Sequence, residues 1–367
     1  IWMDRVGSRR RFCVRMFFAS TVILLGLPLM SAPDILPAAA QSISALIVCW
    51  TGYHLCEHFG VVALWSWFGD LVLHSIRGRF VGRRVAWMNA GKVLGIVVSA
   101  TSAYFWQSYY ESLGQPELRW IVFATLATIG ALMMMLSVWP LTKMADPPSA
   151  SEIGSRAAYY RLQELRQPFV DRDFRRLLCF GAWFSFSNGL TDTAVRVYQI
   201  SVVQLSFSEK RILDSTSRGI QATLMPAVGK LADRRGNVTL LVFSQGLVAA
   251  ALLFLLPASS DAKYWLIGTY GLWIAYAGTN VAMPNLMLQL SKAECSAAYT
   301  AAWFALSHLM YAVSALLGGL LFDWASKTWS THLVGGFQLD HFSILILLGW
   351  LLRSLGMLWA ARIREPK

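Results

Sequence analysis

The chain has 367 residues, of which 56% are hydrophobic and only 14% charged, with a mean hydropathy of +0.49 and a net charge of +12. Soluble domains are about 45–50% apolar and about 25% charged. A soluble globular fold is therefore excluded, as are disorder, a collagen-like repeat and a secreted disulfide scaffold.

A helix needs roughly 20 mostly apolar residues to cross the hydrocarbon core. Such runs predict membrane spans over 14–36, 43–73, 87–108, 120–142, 176–205, 209–231, 238–257, 264–290, 297–323 and 341–361. The first has a basic lead-in (Arg9, Arg10, Arg11) and a small-residue stretch, Pro37 to Gln41, so a cleavable signal peptide is its alternative reading. The sixth carries Arg211, Asp214 and Arg218 on one helical face, a polar stripe that lipid would not tolerate. Several of the tryptophans, Trp106, Trp120, Trp139, Trp265, Trp324 and Trp359 among them, stand at span ends, where indoles favour the headgroup layer. The five cysteines (Cys13, Cys49, Cys56, Cys179, Cys295) form no close pair of metal-ligand type and read as thiols packed in the membrane.

The basic excess is concentrated in alternate loops. Segments 1–15, 74–86, 142–178, 229–237, 290–297 and 361–367 hold 23 lysines and arginines, against 6 in the intervening set. The positive-inside rule then puts both termini in the cytoplasm and makes the charge a topology signal, not a nucleic-acid surface. The longest hydrophilic stretch, with Pro147-Pro148, divides the chain into a four-span bundle (1–142), a cytoplasmic linker (143–175) and a six-span bundle (176–367).

An internal repeat crosses that division. Gly229-Lys-Leu-Ala-Asp233-Arg234-Arg235-Gly236 lies between the sixth and seventh spans, and aligning Asp233 with Asp4 also aligns Arg234 with Arg5 and Gly236 with Gly7. A weaker echo sets Asp70-Leu71 and Trp87 against Asn285-Leu286 and Trp303. The pattern G-x-L-x-D-R-x-G in a short turn between apolar helices resembles the signature loop of the major facilitator superfamily (MFS). That resemblance implies an all-α polytopic fold of two helical bundles and a secondary transporter working by alternating access. The ten spans would be helices 3 to 12, and the sequence upstream of Ile1 is expected to encode two more, roughly 60–80 residues. It also implies that Asp4, Arg5, Gly7, Gly229, Asp233, Arg234 and Gly236 form a conformational latch. The glycines allow close helix approach, and the aspartate can cap a helix N-terminus or pair with arginine. The basic turn Arg77 to Arg84 is a second topology anchor and a candidate latch partner. The plainer alternative is that Arg9 to Arg11 and Arg234 to Arg235 serve only as topology anchors.

Polar residues at membrane depth are the candidates for chemistry. His54-Leu-Cys-Glu57-His58 fits the zinc-peptidase pattern H-x-x-E-H but lacks an evident downstream acidic ligand. In a membrane it reads better as a protonation site or solute contact, with interhelical hydrogen bonding as the alternative. Asn188, Asp192 and Arg196 share one face at four-residue spacing. Arg218, Gln221, Asn280, and His308 with Tyr311, are further solute or proton candidates, each with helix–helix bonding as its bland counterpart. No phosphate-binding loop, nucleophile elbow or dinucleotide fingerprint occurs, and no cofactor is implied. Two functional classes result: a secondary transporter of a small solute, with protons as the candidate coupling ion, or a membrane-embedded metal-dependent enzyme built on His54, Glu57 and His58. The first is preferred, in a plasma or inner membrane, with lipid as surroundings and a monomer as the favoured state.

Overall fold

The computed structural model describes residues 8–31, 37, 43–73, 76–146, 165–292, 295–329, 332–334 and 337–365. The apolar runs become helices, in order α1 (Arg9–Leu24), α2 (Gly26–Ser31), α3 (Ile43–Leu71), α4 (Arg77–Ser112), α5 (Arg119–Lys143), α6 (Arg172–Ser201), α7 (Phe207–Arg235), α8 (Asn237–Ala250, continued by a 3-10 turn Ala251–Leu255), α9 (Trp265–Trp273), α10 (Tyr276–Leu290), α11 (Ser296–Thr328) and α12 (His341–Ala360). The all-α expectation holds but for one antiparallel hairpin, β1 (His332–Val334) with β2 (Phe337–Leu339). Among the described residues, five helical stretches are long and apolar enough to cross a membrane on length and composition alone: Arg9–Pro28, Arg119–Lys143, Asn237–Leu255, Ser296–Thr328 and His341–Ala360. The polar residues of α3, α4, α6 and α7 keep those helices below that mark, and α10, at 15 residues, is too short.

Large apolar side chains stand exposed along whole helices, such as Phe123, Ile129, Leu132, Met133, Leu136 and Trp139 on α5. A water-soluble monomer does not show apolar surface on this scale; an integral membrane protein presents it to lipid.

Three elements differ from the sequence-based expectation. The basic segment Arg77–Arg84 is not a loop but the first turns of α4. Gly229–Arg235 is likewise not a loop but the end of α7, so that Gly236 alone makes the turn. Hydropathy marks where a helix leaves the hydrocarbon, and helix-forming Lys, Arg, Leu and Ala carry it on into the polar layer. The span 264–290 is broken between α9 and α10, where short-range bonds such as Ala275 N–H to Leu272 O (3.0 Å) and Ala277 N–H to Ile274 O (2.9 Å) tighten the turn.

Two compact units can be separated, Ile1–Leu71 with Leu94–Arg161, and Val72–Val93 with Leu162–Lys367. In the first, α1 lies against α3 and α5, and α2 against α5. Trp67, fully buried, donates its indole N–H to the Ala145 carbonyl (2.9 Å), and Arg9 and Arg10 donate to the carbonyls of Ser66 and Met144 (both 3.2 Å). These bonds tie the basic start of α1 to the ends of α3 and α5.

In the second unit α6 packs along α11 and α12, and α8 lies against α10 and α12. Its apolar core joins Val195, Tyr198, Leu252, Leu255, Leu266 and Ile346, with the Tyr198 hydroxyl donating to the Ala258 carbonyl (2.6 Å). Helix starts are capped by side chains: Asp171 for α6, a Ser206/Glu209 capping box for α7 and Asp340 for α12. The start of α8 is capped from far along the chain, because Gly236 has no side chain. Glu365 accepts from the amides of Asn237 (3.0 Å) and Val238 (3.1 Å) and from the Asn237 side-chain amide (2.7 Å). A carboxylate on two orphan helix amides is worth about 1–2 kcal/mol. Glu365→Ala is therefore expected to lower the midpoint of thermal unfolding and to speed hydrogen exchange at the start of α8 alone; unchanged exchange there would remove Glu365 as the cap.

Candidate functional site

The signature segment closes onto α4. Asp233, its side chain 16% exposed, accepts from the backbone amides of Gly78 (2.9 Å) and Arg79 (3.1 Å), with the Arg79 Nε 3.4 Å away. These are the second and third residues of α4, whose amides have no partner inside the helix. The carboxylate thus does both things expected of it, capping a neighbouring helix and pairing with arginine. The grip requires close backbone approach. A β-carbon on Gly229 would meet the Gly78 carbonyl oxygen at 2.5 Å, one on Gly78 would strike the Asp233 carboxylate, and one on Gly82 would meet the Met225 carbonyl at 2.6 Å. Gly236 ends α7 at φ +88° and ψ 150°, a conformation that in practice only glycine adopts. Burial pushes the guanidinium pKa values of Arg77 and Arg84 down from their ordinary value. Arg234 and Arg235 are exposed, and Asp4, Arg5 and Gly7 lie outside the described residues.

On α3, His54, Glu57 and His58 come together. His54 Nδ1 is 3.0 Å from the Glu57 carboxylate, and His58 Nδ1 lies 3.0 Å from the His54 carbonyl oxygen. One ligand atom from each falls within a 4.8 Å set. The group is half-buried, and the Tyr53 hydroxyl also bonds Glu57. Its geometry suits proton sharing between an imidazole and a carboxylate. Two imidazoles and a carboxylate are also a sound donor set for a transition metal.

A second polar cluster forms in the other unit. Asn188 Oδ1 accepts from the Tyr276 hydroxyl (2.9 Å) and from Arg353 Nε (3.3 Å) and Nη2 (3.1 Å), while Asn188 Nδ2 donates to the Phe184 carbonyl (2.7 Å). Through these bonds Asn188 ties α6 to α10 and α12. One turn on, Asp192 accepts from Arg196 Nε (2.8 Å) and from the Tyr311 hydroxyl of α11 (3.2 Å). The Arg196 side chain is 63% exposed, so this neutral pair can reach a solute. Gln221 is buried and donates toward Ser217 and the Trp273 carbonyl (both 3.4 Å), joining α7 to the end of α9. Arg218 and Asn280 are exposed and not hydrogen-bonded to either cluster among the described residues; exposed His308 stacks on Phe304 at 5.8 Å. The structure therefore brings Asn188, Asp192 and Arg196 together with Tyr311 and leaves the other candidates apart.

The sequence reading missed Arg353, which is only 6% exposed. The signal was an arginine inside the apolar run of α12, where a charge needs a partner. Here its partner is a neutral amide oxygen. Asn188→Leu strands that guanidinium and is expected to cost about 1–3 kcal/mol, whereas Arg353→Met removes charge and need together and should cost less. Equal losses in denaturant unfolding would mean the bond contributes nothing.

No protein-family model matches the sequence, and no characterised protein matches it by sequence. Solved structures do match in three dimensions. The MFS proton:xylose symporter XylE, bound to 6-bromo-6-deoxy-D-glucose, aligns over 100% of this chain and 82% of its own, with TM-score 0.66 and 13% identity. The human organic anion transporter MFSD10 aligns over 95% and 82%, with TM-score 0.53 and 16% identity. A bacterial homologue of the iron transporter ferroportin, in its outward-facing state, aligns over 96% and 84%, with TM-score 0.59 and 12% identity. Identities this low speak for architecture and not for substrate. The chain has the fold of the major facilitator superfamily transporters.

Proposed function

We propose that the chain is a secondary transporter that carries a small polar solute by alternating access, with the Asp233 grip on α4 as its latch. The observation that carries this is the grip itself: one carboxylate on two helix-end amides, seated where three glycines let backbones touch. Such a contact is strong when made and leaves no covalent obstacle when broken, as rocking bundles require. Asp192, Arg196 and Tyr311 supply solute contacts, and the His54–Glu57 pair is the site of proton coupling. Both termini lie in the cytoplasm, and the membrane is a plasma or inner membrane.

A metal-dependent activity at His54, Glu57 and His58 is the second reading, favoured by the proximity of their ligand atoms. The fold's solved members name a sugar, organic anions and iron among their cargoes. The test is a panel of sugars, organic anions and divalent cations, screened for stabilisation of the purified protein and then for flux into proteoliposomes. A transporter shows saturable flux of a stabilising compound. Stabilisation with no flux, together with turnover that depends on bound metal, would overturn the proposal in favour of the enzyme.

A further inference from the structure

The start of α6 and the end of α12 with the residues after it flank a half-open cavity of about 330 Å3 lined by Arg172, Arg175, Arg176, Cys179, Trp359 and Arg362. The four α6 residues fall at i, i+3, i+4 and i+7, a single helical face. Four arginines thus line one space, and only Arg176 has an acidic partner among the described residues, Asp173 at 3.0 Å. The other nearby carboxylates are committed elsewhere. Asp171 caps α6 and accepts from the Tyr299 hydroxyl, and Glu365 caps α8. Among the described residues, Arg172, Arg175 and Arg362 have no acidic partner at ion-pair distance.

The lining also includes a fixed indole. Trp359 stacks on Trp183 with ring centroids 5.5 Å apart and planes 11° off parallel, and Trp183 is held by its N–H bond to the Leu352 carbonyl (2.7 Å). Below Trp359 on α12, Leu355 and Leu358 are exposed at 37% and 59%. Charge, indole and apolar surface therefore follow one another in the order of a phospholipid: phosphate, glycerol region, acyl chain. Guanidinium groups bind phosphate oxygens bidentately, and indoles settle at headgroup depth. The loop-charge asymmetry assigns this end to the cytoplasmic leaflet, where anionic lipids are presented to basic pockets between helices.

We propose that this cavity is a binding site for the headgroup phosphate of an anionic phospholipid. A free phosphate ester shares the headgroup chemistry but has no use for the leucine surface.

The test uses the full chain in nanodiscs of phosphatidylcholine with increasing phosphatidylglycerol, with lipid retention read by native mass spectrometry. Wild type should retain phosphatidylglycerol in preference to phosphatidylcholine. The triple variant Arg172→Gln/Arg175→Gln/Arg362→Gln should lose about a hundredfold in apparent affinity, and Arg362→Gln alone about fivefold. If the triple variant does not fold, Arg362→Gln and Trp359→Leu decide, since both alter exposed side chains and both should weaken retention. Wild-type retention in the folded variants would overturn the proposal. Displacement of the lipid by inorganic phosphate or glycerol phosphate at equal concentration would overturn it too, assigning the cavity to soluble phosphate.

Discussion

Gly229→Val should detach α4 from α7 without unfolding the protein. The new β-carbon would meet the Gly78 carbonyl oxygen at 2.5 Å and the Arg79 α-carbon at 3.3 Å, and both are backbone atoms that no rotamer change can move. Overpacking of this kind costs about 1–3 kcal/mol, and relief requires the helices to separate. Separation carries the Gly78 and Arg79 amides out of reach of Asp233, which forfeits charge-assisted bonds worth about 2–4 kcal/mol in all. Asp233→Asn tests the same contact with its shape kept. One amide oxygen cannot serve both N–H groups as a carboxylate does, and the pairing with Arg79 is lost. Both variants should insert normally and show faster hydrogen exchange over the first turn of α4, with transport reduced in both and most in Gly229→Val. Wild-type exchange and flux in both would reduce the motif to a topology anchor.

Glu57→Gln should separate coupling from rocking. Glu57 lies midway along α3, with His54 Nδ1 at 3.0 Å and the Tyr53 hydroxyl bonded to it, so a proton can pass within the group. Glutamine keeps size and hydrogen bonding but cannot take up or release a proton. Uptake against a gradient is expected to be abolished while exchange of solute across the membrane persists, because exchange needs no net proton movement. A different pattern, lower yield and melting temperature with normal uphill transport per folded molecule, would make the cluster interhelical glue. Loss of a stoichiometric metal from the variant, measured by elemental analysis, would revive the metal reading. Uptake, exchange and metal content on one purified variant decide among the three.

The architecture was legible because lipid imposes its demands on every residue of a span. Apolar length, loop charge and the repeated motif all report on the same solvent boundary, and they led to the MFS fold. Helix ends were less legible, since the charged residues that close a span do not close a helix; hence Arg77–Arg84 and Gly229–Arg235 were read as loops. Asn188, Asp192 and Arg196 could be grouped by spacing on α6 alone. Their partners Tyr276, Tyr311 and Arg353 come from α10, α11 and α12, and no local pattern brings those together. Arg353 was overlooked because a single charge in a long apolar run barely lowers its average hydropathy.

The grip of Asp233 falls mainly on peptide groups, with the Arg79 guanidinium beside it. Every residue except proline offers an N–H, so a substitution at position 79 would forfeit the ion pair with Asp233 but keep the backbone bond. What cannot drift is a lack: a methyl group at position 78 would occupy the space the carboxylate needs. Selection would then be visible on one half of the contact as a retained acid and on the other half only as a retained emptiness. Searches for compensating pairs of substitutions would see the pairing of Asp233 with Arg79 but pass over the two amide bonds, because a peptide group has no side chain with which to change in step.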